Sequence, residues 1–287
     1  MNDTASRIRI VTDSACDLPQ DVVDELGISI VSLTIRLDGE EFVDRRDLTP
    51  QEFWARCAKS PTLPETAAPA PGQFEQVYRD LAATGATGIV SISLSAALSA
   101  TMQSAQLAAR SVSDVIPVTV VDSRTCTMGL GILVVDCARL ALTGASLGDV
   151  VDRADDLAQR TRVWGALDTL DNLKKGGRIG GARALLASAL AIKPIIEVRD
   201  GKVEQGGKQR TRSKALAFLV EKLQSYGEVD NLAVLHAECP DVDQFVQMLR
   251  PHYQGEIMVG AIGPVVGSHA GRGTIGIAFN ERALSRD

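Results

Sequence analysis

The chain has 287 residues, a formal net charge of −6 and 45% hydrophobic residues. This length allows one large domain or two modest ones, and the hydrophobic share is ordinary for a globular protein. The acidic balance provides no basic surface for nucleic acid and no attraction to an anionic membrane. We therefore expect a globular protein that has neither of these partners.

The cysteines and histidines predict no metal site. The five cysteines are scattered, and the closest pair, Cys126 and Cys137, is eleven residues apart. This spacing is typical neither of a disulfide framework nor of a structural zinc site, and it favours a reducing cytoplasm. The three histidines show no metal-ligand spacing. We expect a cytoplasmic protein that uses no metal and no cofactor.

The sequence also predicts no targeting or membrane segment. The first residues, MNDTASRIRIVTDSACD, reach polar and charged side chains too soon for a signal peptide. No uninterrupted apolar run reaches the roughly 18 residues that a membrane-spanning helix needs. We therefore expect no integral membrane segment.

The first half of the chain alternates predicted strands and helices. In chain order these are strand 8–14, helix 18–27, strand 28–37, strand 87–95, helix 100–112, strand 116–123 and helix 129–144. This order is typical of a layered α/β unit with a mainly parallel sheet. Several strands end in Ser, Thr or Asp, and parallel sheets bind ligands beyond the carboxyl ends of their strands. The pattern predicts a binding crevice at that edge.

A proline-rich segment interrupts this alternation around residues 50–75. The stretch PTLPETAAPAPGQF contains Pro61, Pro64, Pro69 and Pro71. Because proline lacks a backbone N–H and fixes φ, we expect neither a helix nor an interior strand here. The segment is predicted to be an ordered loop or linker, which would form a lip of the crevice if it lies near the strand ends.

The second half predicts a mixed sheet with helices. An apolar stretch from residue 189 leads into a strand that ends at Arg199, and Asp200-Gly201 predicts a hairpin turn into a second strand. Further predictions are a helix over 213–227, strands over 231–240 and 256–269, a helix over 241–250 and a strand over 274–281 that closes the sheet. The fold class is thus α/β, with domains predicted over 1–155 and 156–287.

Near the C-terminus, residues 271–276 spell the nucleotide-binding pattern G-x-G-x-x-G. That motif needs a helix after it, whereas Ile275, Ile277 and Phe279 alternate as in a strand. We therefore reject a nucleotide site. Ser268 and His269 are adjacent and point apart, so they are not a nucleophile and its base. The glycines around His269 let the backbone approach a ligand closely, which favours this histidine as a binding residue.

Three other segments leave two interpretations open. Lys174, Lys175 and the glycines after them predict a helix C-cap, while Arg178 beyond the cap suits either the cap or a ligand. If residues 208–214 form a strand, four basic side chains share one face, as a solvated edge or as a docking patch for an acidic partner. In 94–105, Ser95 and Ser99 suit either helix capping or an anion. A hydrolase or transferase that uses one of these two serines is the alternative function.

The segments as an ordered set resemble the DegV family of fatty-acid-binding proteins. The resemblance covers nearly the whole chain and rests on residues 10–19, 66–74, 95–105, 120–131, 167–180, 192–203 and 263–279. It implies two α/β domains with an acyl chain buried between them. It also implies a non-enzymatic carrier that presents a long-chain fatty acid to a separate kinase for acyl-phosphate formation.

The same resemblance implies the site residues. The carboxylate would be held by Thr66, Ser95 and His269, with a backbone N–H of the turn that contains Ala96 as a further donor. The kinase would dock on Arg210 and Arg212. The chain departs from the family pattern at Ala67-Ala68, at Ala96 and Ala100, and at Arg272, which stands where relatives carry proline. Arg272 is therefore a candidate second contact to the carboxylate or to a partner.

Overall fold

The computed structural model describes residues 7–188 and 192–282, with only the backbone of residues 187 and 188. The strands are Ile8–Asp13 (β1), Ser29–Val31 (β2), Thr34–Leu37 (β3), Glu40–Val43 (β4), Glu65–Ala67 (β5), Gly88–Ser93 (β6), Val118–Asp122 (β7), Thr161–Ala166 (β8), Lys193–Arg199 (β9), Lys202–Gln209 (β10), Val229–His236 (β11), Met258–Ala261 (β12) and Ile275–Glu281 (β13). The helices are Gln20–Leu26 (α1), Pro50–Cys57 (α2), Pro71–Ala83 (α3), Thr101–Ser111 (α4), Thr127–Leu142 (α5), Leu147–Arg160 (α6), Asp171–Lys175 (α7), Arg212–Ser225 (α8), Val242–Leu249 (α9) and Pro264–Ala270 (α10). The start of the apolar stretch predicted from residue 189 lies outside the described residues.

The N-terminal sheet is parallel throughout, as predicted. Its strand order is β2-β1-β6-β7, and each neighbouring pair runs in the same direction. β1, β6 and β7 therefore end at one edge, where Asp13, Ser93 and Asp122 are their last residues. This arrangement places a set of polar strand ends next to the turn that leads into α4.

The C-terminal sheet is mixed, with the order β10-β9-β8-β13-β11-β12. Only the β11–β12 pair among these is parallel. The predicted hairpin is confirmed, since Asp200 and Gly201 have φ values of 50° and 78°, which its tight turn requires. β13 lies inside the sheet between β8 and β11, so the prediction that it closes the sheet was wrong. Together the two sheets confirm the predicted α/β fold class.

A third, small sheet corrects two predictions in the first half. The run 28–37 is two strands, since β2 pairs with β1 while β3 pairs with β4 and β5. The proline-rich segment is not all loop, because residues Glu65–Ala67 form β5 at the edge of this small sheet. Pairing with β3 aligns Thr66 with Ile35. The segment thereby presents Thr66 from a strand with a defined register.

Three prolines begin helices that the sequence did not predict. Pro50, Pro71 and Pro264 are the first residues of α2, α3 and α10. A proline fits this position, because the N–H that it lacks would have no partner inside the helix. The predicted strand over 256–269 consequently ends at Ala261, and His269 lies on α10.

Helix α5 joins the two halves of the fold. It packs against β1 on one side and against β8, β11 and β13 on the other. Glycines permit this approach, since a Cβ atom at Gly131 would lie 2.7 Å from the carbonyl oxygen of Cys16. The next helix, α6, contains the predicted boundary between residues 155 and 156, which stays a prediction. Across the described residues, no helix is both long enough and apolar enough to cross a membrane.

Candidate functional site

An apolar cavity of about 200 Å³ lies between the two large sheets. Close-packed interiors contain few voids larger than a water molecule, so a space of this size indicates a ligand site. Most of its lining is aliphatic. Those side chains belong to Leu33, Leu94, Leu98, Val163, Leu173, Ile196, Val198, Val203, Leu235, Ile262, Val265 and Val266.

One end of the cavity is polar and is built from both ends of the chain. The Thr66 hydroxyl on β5 lies 2.9 Å from Nε2 of His269 on α10, and both residues line the cavity. These residues and Arg178 also line an outer cleft of about 380 Å³. The polar end of the cavity therefore adjoins a cleft toward the surface.

His269 is tightly packed and mostly buried. Its Nδ1 is buried and has no hydrogen-bond partner in the described part of the chain. Burial, and secondarily the charge of Arg178, lowers the pKa of His269 to about 4. Gly176 packs against the imidazole so closely that a Cβ atom there would overlap Nδ1. The histidine is thus neutral near pH 7, with its ring position fixed by a glycine.

Arg178 brings a positive charge to this polar end. The predicted C-cap is confirmed, since α7 ends at Lys175 and the Arg178 N–H donates to the Leu173 carbonyl at 3.0 Å. The Arg178 side chain leaves the cap, donating from Nε to Leu98 O at 3.1 Å and from Nη1 to Gly176 O at 2.7 Å. Among residues 7–188 and 192–282 it has no ion pair with a carboxylate. Sequence reasoning left this residue undecided, and the structure places it in the cavity lining.

Ser95 and Ala96 lie beside the cavity rather than in its described lining. The Ser95 hydroxyl is buried and donates to the Gly201 carbonyl at 2.7 Å, which joins the first half to the β9–β10 hairpin. The Ala96 N–H donates to Asp122 at 3.2 Å. Ser99 and Ala100 line the cavity instead. Of the two serines in this turn, the structure brings Ser99 to the site.

The glycines around His269 lie against protein side chains and not in the role that the sequence suggested. A Cβ atom at Gly267 would lie 2.7 Å from the Trp54 ring, and one at Gly271 would lie 3.2 Å from Asn172. These glycines admit protein side chains rather than a ligand. Arg272 is exposed, pairs with Glu238 at 3.0 Å and does not belong to the cavity lining.

The basic segment 208–214 is not one strand. β10 ends at Gln209 and Arg212 begins α8, so the prediction of four basic side chains on one strand face was wrong. Arg210 is exposed. Arg212 forms a two-pronged ion pair with Asp241, at 2.8 and 2.9 Å, and donates from Nη1 to Gly273 O at 2.6 Å. The two predicted docking arginines therefore have different surroundings.

The hydrolase or transferase alternative needs a general base beside Ser95 or Ser99, and the described residues place none there. Ser99 Oγ lies 2.8 Å from Thr101 Oγ1, and the Ser95 hydroxyl is bound to Gly201. In the described residues neither serine is hydrogen-bonded to a histidine, which is the pairing that activates such a nucleophile. His269 has no carboxylate partner there either. No cluster of three or more potential metal ligands occurs in the same part of the chain.

The fold and the site define a class of protein, namely an α/β protein with a mostly aliphatic cavity between two sheets and with Thr66, Arg178 and His269 in its lining. A family model described as "Uncharacterised protein, DegV family" matches residues 7–282. A DegV domain-containing protein of Streptomyces coelicolor is 36% identical over 280 residues, which are 96% of this chain and 99% of that protein. The chain belongs to the DegV family.

Solved structures agree with this assignment. A fatty-acid-binding DegV family protein from Thermus thermophilus has a TM-score of 0.89 at 33% identity, over 96% of this chain and 100% of that one. A stearic acid-binding protein from Eubacterium ventriosum has a TM-score of 0.87 at 26% identity, over 96% and 98% of the two chains. The resemblance and the fold inferred from the sequence are thereby confirmed.

Proposed function

We propose that the protein binds a long-chain fatty acid, with the tail in the apolar cavity and the carboxylate at Thr66, His269 and Arg178. The observation that carries this proposal is the composition of the cavity, whose lining is mostly aliphatic and includes the Thr66 hydroxyl, the His269 imidazole and the Arg178 guanidinium. The fatty-acid-binding relatives from Thermus thermophilus and Eubacterium ventriosum support it. The proposed role is that of a carrier and not of an enzyme.

The tail supplies most of the proposed binding free energy. Burying about 15 methylene groups at ~0.8 kcal/mol each gives roughly 12 kcal/mol before ordering costs. Aliphatic side chains can provide this without aromatic rings, and only 4% of the residues are aromatic. Affinity in this proposal therefore follows from the length of chain that the cavity encloses.

The head group needs hydrogen-bond donors, because an ionised carboxylate only accepts. If His269 donates from Nε2 to Thr66 Oγ1, the Thr66 hydroxyl hydrogen is free for the carboxylate. Ser99 and Arg178 supply further donors from the cavity lining. The direct carboxylate contacts that the sequence implied for Ser95 and Ala96 stay predictions. In the structure the Ser95 hydroxyl and the Ala96 N–H donate to protein partners instead. A bound anion would favour protonation of His269.

The first experiment is to extract and identify lipid from the purified protein by mass spectrometry, and then to titrate delipidated protein with stearate. We expect a co-purified fatty acid and saturable binding. A protein that contains no lipid and takes up neither stearate nor shorter acids would contradict the proposal.

The head-group assignment is tested by matched variants. Thr66→Val removes the hydroxyl and should weaken stearate binding by about 1–3 kcal/mol, whereas Thr66→Ser keeps the hydroxyl and should stay near wild type. His269→Ala should weaken binding similarly. His252→Ala is its control, because His252 is exposed and contacts Gln224. Unchanged affinity in both Thr66→Val and His269→Ala would remove the assignment.

We further propose that this carrier is cytoplasmic, that its domains divide near residues 155 and 156, and that it presents the carboxylate to a separate kinase. The outer cleft supports presentation, because it adjoins Thr66, Arg178 and His269 and includes Lys175. Exposed Arg210 is the proposed docking residue. Arg212 lies two residues further along the chain and would contribute indirectly, because its side chain binds Asp241.

The kinase proposal is tested by adding stearate-loaded protein and ATP to extract of the source organism and trapping acyl phosphate with hydroxylamine. Arg210→Glu should abolish the product while stearate binding is retained. Arg110→Glu, on the exposed face of α4, is the control. Equal product with both variants would contradict the docking assignment. Stearate turnover to other products by the isolated protein would favour the enzyme alternative.

A further inference from the structure

Asn172 lies on α7 and contacts the helix that carries His269. Its side-chain Nδ2 donates to the backbone carbonyl of Ser268, on α10, at 3.1 Å. Because a carbonyl only accepts, the amide nitrogen of Asn172 and not its oxygen must face it. Ser268 directly precedes His269 in the chain. The side chain of Asn172 therefore holds the backbone one residue before the imidazole of the proposed carboxylate site.

The main chain of Asn172 supports the same site from the other side. Its carbonyl accepts from the Gly176 N–H at 2.8 Å, and Gly176 packs against the His269 ring. The Gly176 carbonyl in turn accepts from Nη1 of Arg178 at 2.7 Å. Asn172 is thus connected through its side chain to the backbone beside His269, and through its main chain to Gly176 and Arg178.

The position of α7 against α10 depends on this side chain. Among residues 7–188 and 192–282, no other hydrogen bond joins the two helices. α7 has only five residues, and a helix this short is not stable without contacts to its surroundings. Gly271, just after α10, leaves room for the amide, since a Cβ atom there would lie 3.2 Å from Asn172 Oδ1. The two segments that supply His269 and Arg178 therefore meet at Asn172.

We propose that Asn172 is a positioning residue of the carboxylate site, which fixes His269 and Arg178 relative to each other without contacting the ligand. Asn172 lines the outer cleft and does not belong to the cavity lining. Hydrogen bonds weaken steeply when distance and angle depart from their preferred values, so donors from two segments need a fixed separation to act on one carboxylate. This inference rests on the proposed fatty-acid-binding function and adds a residue to its site.

The test is a double-mutant cycle on the stearate affinity of the delipidated full-length protein, measured by calorimetry. Asn172→Leu has a similar size and no donor, and it should weaken stearate binding about fivefold to tenfold. In the His269→Ala background the same substitution should cost less than about twofold, because residues that act through one another are not additive. If Asn172→Leu does not fold, Asn172→Ala takes its place in the cycle.

Asn280→Leu is the matched control for a merely structural asparagine. Asn280 is buried on β13, donates to Thr161 Oγ1 at 2.8 Å and lines neither the cavity nor the outer cleft. Its replacement should lower the free energy of unfolding in urea, while the stearate affinity of the folded variant stays near wild type. Asn172→Leu should differ from it by losing affinity, and by losing it only where His269 is present.

Two outcomes would overturn the inference while the proposed function stands. One is that the Asn172 variant binds stearate as tightly as wild type. The other is that its loss of affinity is as large in the His269→Ala background as in the wild type, since Asn172 would then act independently of His269. Failure of the proposed function is distinct, because wild type would then bind no stearate at all.

Discussion

Two arginines in the C-terminal half have opposite surroundings. The Arg212 guanidinium has three protein partners, which are both oxygens of Asp241 and the carbonyl of Gly273. Arg178 contacts two backbone carbonyls, has no carboxylate partner in the described residues and lines the cavity and its outer cleft. Removal of one partner of a half-buried pair destabilises the fold because the other charge is left uncompensated, whereas a guanidinium without a carboxylate is available to an anionic ligand.

The largest expected effect is on stability at Arg212. Arg212→Ala leaves Asp241 half-buried without its partner and should lower the free energy of unfolding by about 2–4 kcal/mol, as measured by urea denaturation. Stearate affinity of the folded variant should change little. Arg212→Lys keeps the charge without the planar fork and should recover only part of the loss. If Arg212→Ala is as stable as the wild type, the contrast between Arg212 and Arg178 does not hold.

Arg178 should show the reverse pattern. Arg178→Met removes the cation beside the carboxylate site and should weaken stearate binding by about tenfold to a hundredfold, because hydrogen bonds to charged groups contribute about 1.5–3 kcal/mol. Its free energy of unfolding without ligand should fall less than that of Arg212→Ala, because only two backbone carbonyls lose a donor and no carboxylate loses its partner. Titration and urea denaturation of one preparation measure both quantities. A large loss of stability with unchanged stearate affinity would show that Arg178, like Arg212, stabilises the fold and does not bind the ligand.

The pH dependence of stability tests the same contrast through His269. Burial and Arg178 lower its folded pKa to about 4, against 6.5 for the free side chain. The unfolded chain then binds the proton first, so this histidine costs stability as pH falls from 6.5 towards 4. His269→Gln should reduce that loss by about 3 kcal/mol, and Arg178→Met should reduce it partly. An identical pH profile for wild type and His269→Gln would contradict this expectation.

Buried carboxylates act on the same profile in the opposite direction. Burial raises the pKa of Asp13 and Asp17 to about 7 and that of Asp44 to about 6, from 3.8. The folded state holds these protons up to a higher pH than the unfolded chain does. The three groups therefore lower the free energy of unfolding as pH rises towards 7. The His269 contribution must therefore be obtained as the difference between variant and wild type.

The smallest expected effect is at Arg210. The side chain is exposed, so Arg210→Ala should change the free energy of unfolding by less than about 0.5 kcal/mol and leave stearate affinity unchanged. Only the yield of acyl phosphate with added extract should fall. A fall in stability comparable to that of Arg212→Ala would show that both arginines belong to the fold.

Much of the fold was predictable because local patterns agreed with the tertiary structure. The strand over 8–14, the helix that became α5 and the Asp200-Gly201 hairpin each follow from periodicity or from turn residues. Several errors fall at prolines, since Pro50 and Pro71 lie in the segment predicted not to be helical and Pro264 lies in the predicted strand 256–269, whereas each begins a helix. Thr49-Pro50-Gln51-Glu52 carries the signal that was missed, since the structure has a capping box between Thr49 and Glu52.

The site was predictable only in part, because its residues come from distant segments. Thr66 and His269 followed from the family resemblance and lie together in the structure. The choice between Ser95 and Ser99 depends on which hydroxyl the β9–β10 hairpin occupies, which no local pattern encodes. Arg178 follows a helix C-cap motif, so the sequence did not single it out as a binding residue. Whether its guanidinium can bind an anion depends on which carboxylates lie nearby, and that is decided by the tertiary structure.

The bond between Thr66 and His269 also bears on synthesis of the protein. These residues are 203 positions apart, and β13, which comes after His269 in the chain, lies inside the C-terminal sheet. A nascent chain therefore has no complete head-group site until β13 has left the ribosome and inserted between β8 and β11. If the protein binds a fatty acid as proposed, capture waits for β13, and a chain truncated before β13 should contain no lipid.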